Sequence, residues 1–352
     1  MALGTMTFGA ARWGSGEDDS RAVFNAYIDA GGNFVDTADV YSAGMGEEML
    51  GSFILERSLR DSVVLATKSG FAAGQGPHLG GNGSKHIHSA LTGSLKRLRT
   101  DYIDLYWVHV WDSVTPAEEL LETMTSLVRA GKIRYWGLSN TPAWYVTKVA
   151  TLAATRGLVG PIAMQYFYSL TNRDIEDEHA PVAAEFGLGI VPWSPLSFGF
   201  LSGKYDRETV EGAAPRSAGL PKEAAAAGVQ RPEGDKRLDG ANPFGDTLFT
   251  ERNWKIVETL KQVAKEAGET PAGVALAWVT QQAGVTSTLM GVSRVEQVAE
   301  NIASLKLVLS AEHRAALDSV SAPEPRMLYS LFTQSVRQFA VYGGSTVKPW
   351  GA

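Results

Sequence analysis

Asn33-Phe34-Val35-Asp36-Thr37-Ala38-Asp39-Val40-Tyr41 follows a Gly31-Gly32 pair, runs through a short apolar stretch, stops on an acid and reaches a tyrosine five residues later. The glycines end the helical pattern before it, so the stretch reads as a strand over 33–35, entered from a helix and terminated by Asp36.

The flanking chain repeats that pattern in both directions. Upstream, residues 3–8 are strand-like, and 18–30 place Val23, Tyr27, Ile28 and Ala30 at helical spacing. Downstream, the spacing predicts a helix over 47–57, a strand over 62–67 reaching Lys68, a helix containing 91–98 and a strand over 102–109. A helix over 116–130 opens on Pro116 and ends at Gly131, followed by a strand over 134–138. Segments 142–154, 162–166, 181–186 and 189–193 continue the alternation. After an interruption come helices over 253–267 and 271–281, a strand over 287–290 and a helix over 295–302. Strands start about 30 to 40 residues apart, the size of a βα unit, which predicts parallel strands with helical crossovers. Eight such units make an α/β protein of the (β/α)8 TIM-barrel type, expected as a single domain over 1–352. The interruption at 205–250, rich in Ala, Gly, Pro and charge, falls between strands seven and eight and reads as a long lid-like loop within that domain. Beyond 322, a C-terminal tail over 323–352 carries Leu328, Leu331, Phe332, Phe339 and Tyr342 without clear periodicity and is expected to pack on the barrel.

Composition narrows the function. A net charge of −6 without a basic stripe argues against nucleic acid or an anionic membrane as partner. With no cysteine there is neither disulfide, thiol nucleophile nor Cys-ligated zinc. His86 and His88, two apart and without acidic companions, are too weak a signal for a metal. No apolar run approaches the ~18 residues of a spanning helix, and the N-terminus lacks a secretory pattern, so a cytoplasmic protein is expected, as monomer or homo-oligomer.

Catalytic groups of such barrels sit at the C-terminal ends of strands. That rule selects Asp36 after strand two, Tyr41 in its loop, Lys68 at the end of strand three and His109 at the end of strand four. Asp36 and Lys68 alone are equally a structural ion pair, and His109 equally a satisfied core residue. A tyrosine beside a lysine adds chemistry, because a phenol of ordinary pKa ~10 can be lowered toward the range of a proton donor.

In these residues the chain resembles the aldo-keto reductase family, over nearly all of 3–323, and is most similar to its bacterial and potassium-channel β-subunit-like branch. The resemblance rests on Asp36-Thr-Ala-Asp-Val-Tyr41, Leu65-Ala-Thr-Lys68, Leu105-Tyr-Trp-Val-His109, Gly131-Lys-Ile-Arg-Tyr-Trp-Gly-Leu-Ser-Asn140 and Trp193-Ser-Pro-Leu196. It implies an NADPH-dependent oxidoreductase that reduces an aldehyde or ketone. Tyr41 would give the proton, Lys68 would lower its pKa, Asp36 would hold Lys68 charged, and His109 would orient the carbonyl. No Gly-x-Gly-x-x-Gly or Gly-x-x-x-x-Gly-Lys-[Ser/Thr] motif offers another phosphate site, whereas barrels hold phosphates after strands seven and eight. The resemblance accordingly places cofactor contacts at Gly4, Thr5, Met6 and Asp36; at Ser139, Asn140 and Gln165 for the carboxamide; and at Trp193 against the nicotinamide. Ser194, Pro195, Leu196, Gly199, Leu201 and Lys204 would wrap the pyrophosphate. Gly291, Ser293, Arg294, Gln297, Glu300 and Asn301 would take the adenosine end, with Arg237 clamping from the long loop. Arg294 or Ser293 on a 2′-phosphate favours NADPH over NADH. The small-molecule carbonyl substrate would meet Tyr41, His109, Trp13, Trp111 and Phe198.

The barrel-bottom hairpin of most relatives is expected to be missing, and the loop between strands seven and eight is longer than expected. Two other readings are NADP-dependent oxidation of a secondary alcohol in the same site and a non-catalytic NADPH-binding regulatory subunit.

Overall fold

A computed structural model describes residues 1–10, 14–205, 207, 238 and 248–347. Strands β1 Ala2–Gly4, β2 Phe34–Asp36, β3 Val64–Ser69, β4 Ile103–Val108, β5 Ile133–Ser139, β6 Ala163–Phe167, β7 Gly189–Trp193 and β8 Leu289–Gly291 form one parallel sheet in the order β7-β6-β5-β4-β3-β2-β1-β8. Its ends nearly meet: the Ile190 N–H donates to the Gly284 carbonyl and its carbonyl accepts from Thr286, both at 2.9 Å, just ahead of β8. The architecture is the expected (β/α)8 TIM barrel.

Strand parity separates two cores. Ala2, Ala66, Leu105, Trp107, Ala163, Val191 and Leu289 pack together inside the ring. The alternate residues, among them Leu3, Val35, Leu65, Tyr106, Leu138, Met164, Ile190 and Met290, pack outward in the larger cluster shared with the helices. Small residues inside make room for Trp107: a β-carbon at Gly137 would lie 2.5 Å from that indole. The same parity turns Asp36, Lys68, Ser139, Gln165 and Trp193 inward at the C-terminal ends, so the pattern that fills the barrel also delivers its polar rim.

The crossover helices are α1 Glu17–Asp29, α2 Met45–Glu56, α3 Ser84–Arg97, α4 Ala117–Arg129, α5 Ala143–Arg156 and α6 His179–Phe186, then α7 Glu251–Ala267, α8 Pro271–Thr280, α9 Val295–Ala303 and α10 Ala311–Ser321. In α4, Leu120, Leu121, Met124 and Leu127 recur at helical spacing and are buried. Helix α3 takes in nearly all of the expected 91–98 and starts at Ser84, and α10 had no counterpart in the sequence reading. No described helix is long and apolar enough to cross a membrane. Contacts divide the chain into units Met1–Ser321 and Ala322–Ala352. The second holds the short helices Met327–Ser330 and Gln334–Val336 and an edge-to-face contact of Tyr329 with Phe332. Most of the expected lid at 205–250, with Arg237, lies outside the described residues, as does Trp13.

Candidate active site

Lys68, next to last in β3, has no solvent exposure, a position that a lone ammonium does not tolerate. Its Nζ donates to Asp36 Oδ1, to the Thr37 carbonyl at 2.8 Å and to the Tyr41 hydroxyl at 3.4 Å. Burial pulls the ammonium pKa down, but Asp36 and then Tyr41 outweigh it, so the net direction is up and Lys68 stays cationic. Asp36, 1% exposed, is itself saturated: its Oδ2 accepts from the Trp107 indole at 2.9 Å and from Gln165 Nε2 at 3.1 Å. The end of β2 is fixed from β1, because Thr5 donates to the Asp36 carbonyl through its N–H at 2.9 Å and its hydroxyl at 3.1 Å.

Tyr41 stands at a backbone reversal. Ser42 and Ala43 follow it with φ of 49° and 55°, and Gly44 with 95°. The left-handed region opposes the first two, at ~1–2 kcal/mol per non-glycine residue. The Ser42 hydroxyl holds the turn by donating to the Phe8 carbonyl at 2.8 Å. This strain aims the phenol at Lys68.

His109 faces the phenol edge-on, with ring centroids 5.9 Å apart, and meets the Phe71 ring at 4.6 Å. Its Nδ1 is buried without a hydrogen-bond partner. Burial, and then the charge of Lys68, hold its pKa well below the ordinary 6.5, so near neutral pH the imidazole is uncharged. Its carbonyl accepts from Asn140 Nδ2 at 2.9 Å, and the Trp193 indole donates to Asn140 Oδ1 at 3.2 Å. Asn140 Nδ2 also reaches the buried Ser139 hydroxyl at 2.9 Å. Tyr41, Lys68, Asp36 and His109 are thus brought together, with Ser139, Asn140, Gln165 and Trp193 along the same rim.

The wall is aromatic. Trp193 stacks on Phe167 at 4.9 Å, and Phe198 lies edge-on to both. Trp111, whose N–H donates to the Asn140 carbonyl at 3.3 Å, meets Trp144 at 5.6 Å and Tyr145 at 6.1 Å.

After β7, Ser194, Ser197, Phe198, Gly199 and Gly203 have φ between 48° and 87°, a twisted backbone of the kind that turns N–H groups into an anion cradle. Pro195 and Leu196 lie within it, Leu201 is buried beneath, and Lys204 folds back so that its Nζ is 3.1 Å from the place of a Gly199 β-carbon. After β8, Gly291 is open, and Ser293 and Arg294 lead into α9. Gln297 Oε1 accepts from the N–H groups of Ser293 and Arg294 at 3.0 and 3.2 Å, so that oxygen caps its own helix. Asn301 is buried, whereas Arg294 and Glu300 are exposed. Gly4 and Met6 flank Thr5 at the end of β1.

Sequence reasoning missed Trp107 and the Gln165 contact as supports of Asp36. Inward parity two residues before His109 would have pointed to Trp107. It also passed over Phe71, for which proximity to Lys68 is the only sequence signal.

The sequence matches the Aldo/keto reductase family across residues 1–322. The chain belongs to the aldo/keto reductase family. It is 34% identical to a probable voltage-gated potassium channel subunit beta of Oryza sativa subsp. japonica, covering 88% of this chain and 89% of that protein. It is 32% identical to the norsolorinic acid reductase of Aspergillus flavus, over 90% and 76%. Identity to the aryl-alcohol dehydrogenase [NADP(+)] of Phanerodontia chrysosporium is 31%, over 94% and 85%. This aldo/keto reductase is accordingly an oxidoreductase with a TIM-barrel fold, of a family that uses nicotinamide cofactors in carbonyl chemistry.

Proposed function

We propose that the protein reduces aromatic aldehydes or ketones to alcohols with NADPH, and that Tyr41 delivers the proton. The observation that carries this reading is the Tyr41 hydroxyl 3.4 Å from a Lys68 ammonium that is buried and kept charged by Asp36. A fixed positive charge beside a phenol eases release of its proton and opposes charge build-up on a neighbouring carbonyl oxygen. The uncharged His109 ring faces the same space and orients that oxygen. Asp36 keeps Lys68 cationic, and Trp107 and Gln165 keep Asp36 in place.

The hydride comes from a nicotinamide cofactor when one is bound. The donor set suits such a group. Ser139, Asn140 and Gln165 present amides and a hydroxyl for a carboxamide, Trp193 offers a ring face, the twisted loop with Lys204 suits a pyrophosphate, and the exposed Arg294 at the start of α9 suits a 2′-phosphate.

Phe71, Trp111, Trp144 and Phe198 favour planar aromatic substrates, in keeping with relatives named for norsolorinic acid and aryl alcohols. The relative named as a potassium channel subunit supports a second reading, a regulatory NADPH-binding role. Steady oxidation of NADPH with 4-nitrobenzaldehyde separates the two. Tyr41→Phe is expected to abolish that turnover and leave NADPH affinity within twofold; unchanged turnover would sink the assignment of Tyr41.

A further inference from the structure

Asp39 lies between Asp36 and Tyr41 in sequence, is 5% exposed, and has no part in the reaction proposed above. Neither of its carboxylate oxygens has a hydrogen-bond partner. The Val40 N–H is close enough to favour the charged form but lies outside hydrogen-bonding geometry. An acid buried without donors is expensive to keep unless its environment serves something.

The groups around it come from four elements. Glu47 of α2, fully buried, accepts from the Thr67 hydroxyl at 2.5 Å and from Arg97 Nε of α3 at 2.7 Å. Lys68 of β3 is the third charged neighbour, and its carbonyl accepts the Asp39 N–H at 3.1 Å. Tyr106 of β4 is an uncharged fourth neighbour; its hydroxyl is bonded to Ser69 Oγ at 2.8 Å, and burial pushes its phenol well above the ordinary range. Burial and then Glu47 push the Asp39 carboxyl up to about 7, against the opposing pull of Arg97, the Val40 N–H and Lys68. The arrangement favours a neutral carboxylic acid whose ionisation would place a new negative charge beside Lys68.

That charge matters because the field of Lys68 at the Tyr41 hydroxyl is what eases proton donation. We infer that Asp39 is a positioning residue of this active site: protonated, it leaves the field of Lys68 directed at Tyr41, and ionised, it partly cancels that field. The inference rests on the reading of Tyr41 as proton donor. Asp39 touches neither substrate nor cofactor; it acts through Lys68, whose backbone it also holds.

The test is the pH profile of kcat, with NADPH and 4-nitrobenzaldehyde at saturation, for the wild type, Asp39→Asn and Asp39→Glu. The wild type is expected to lose kcat about tenfold across an ionisation near pH 7. Asp39→Asn, fixed in the neutral form, should hold its rate across that range, and Asp39→Glu should recover a decline at a displaced pH. A decline near pH 7 that survives in Asp39→Asn overturns the inference while leaving Tyr41 in place. Wild-type protein without turnover at any pH overturns the reading of Tyr41, and this inference falls with it. Should Asp39→Asn fail to fold, wild-type protein carrying 13C-carboxyl aspartate gives the answer by NMR. One aspartate titrating near neutral pH supports the inference; none doing so overturns it.

Discussion

Asp39→Asn also makes a thermodynamic prediction that does not depend on any substrate. The substitution keeps the shape of the side chain and removes its charge. In the folded protein the carboxyl is pushed up to about 7 by burial and Glu47, against an ordinary 3.8 when the chain is unfolded. The folded state therefore binds the proton more tightly. Well below pH 3.8 both states are protonated and the group is neutral in its effect; as pH rises through 3.8 toward 7 the unfolded chain ionises and the folded one does not, so wild-type stability falls. Above 7 the loss is complete and constant. At 1.36 kcal/mol for each tenfold change in proton affinity, the full loss is about 4 kcal/mol, an upper figure because water and local relaxation reduce it. The asparagine variant escapes it. Urea unfolding at a series of pH values should show Asp39→Asn little changed at pH 4, ahead by about 2 kcal/mol at pH 5 and by up to about 4 kcal/mol at pH 8, with unchanged m-values. A stability difference that does not vary between pH 4 and pH 8 would refute the claim that Asp39 is held protonated.

Two further predictions concern packing and cofactor choice. A β-carbon in Gly137→Ala would meet the Trp107 ring at 2.5 Å and the Ala163 carbonyl at 2.6 Å, so the variant should lose about 1–3 kcal/mol and, since Trp107 holds Asp36, lose kcat as well; an unchanged urea midpoint argues against a filled barrel interior. Arg294→Ala should weaken NADPH binding about tenfold and leave NADH binding alone, as read by quenching of protein fluorescence; equal losses for both cofactors would remove Arg294 from the 2′-phosphate.

The barrel was legible because its strands and helices repeat at a fixed interval and each ends on local signals. Gly157, Gly187 and Gly268 take left-handed backbone at helix ends, and the Thr250 and Thr270 side chains accept N–H groups of Asn253 and Gly273 at helix starts. Where the signal was tertiary, the sequence misled. Residues 3–8 look like one strand, yet β1 stops at Gly4 because the chain turns after Thr5, whose carbonyl accepts the Phe8 N–H at 2.9 Å, while the Thr7 hydroxyl is drawn to the Val292 carbonyl beyond β8 at 2.7 Å. Helix α3 starts at Ser84, three residues before its first buried apolar residue, Ile87, because Glu119 of the neighbouring α4 caps the Ser84 N–H at 3.0 Å. No window of local sequence contains that carboxylate.

The site shows the same division more sharply in two aspartates three positions apart. One ends a short strand and the other follows it, both are almost wholly buried, and by residue type they are equivalent. Asp36 was recognisable because it ends the strand, where a barrel presents its chemistry, and because Lys68 and His109 end neighbouring strands. What holds its carboxylate in place was not recognisable: Lys68 from β3, the Trp107 indole from β4 and the Gln165 amide from β6 converge on it. Asp39 receives no such donors and has Glu47 as its neighbour instead. The number of N–H groups that other strands bring to each carboxyl separates the hydrogen-bonded partner of Lys68 from an acid pushed up toward neutrality, and that number is a property of the closed barrel. The spacing of Asp36, Asp39 and Tyr41 locates the groups; the strands across the ring decide which of them finds partners.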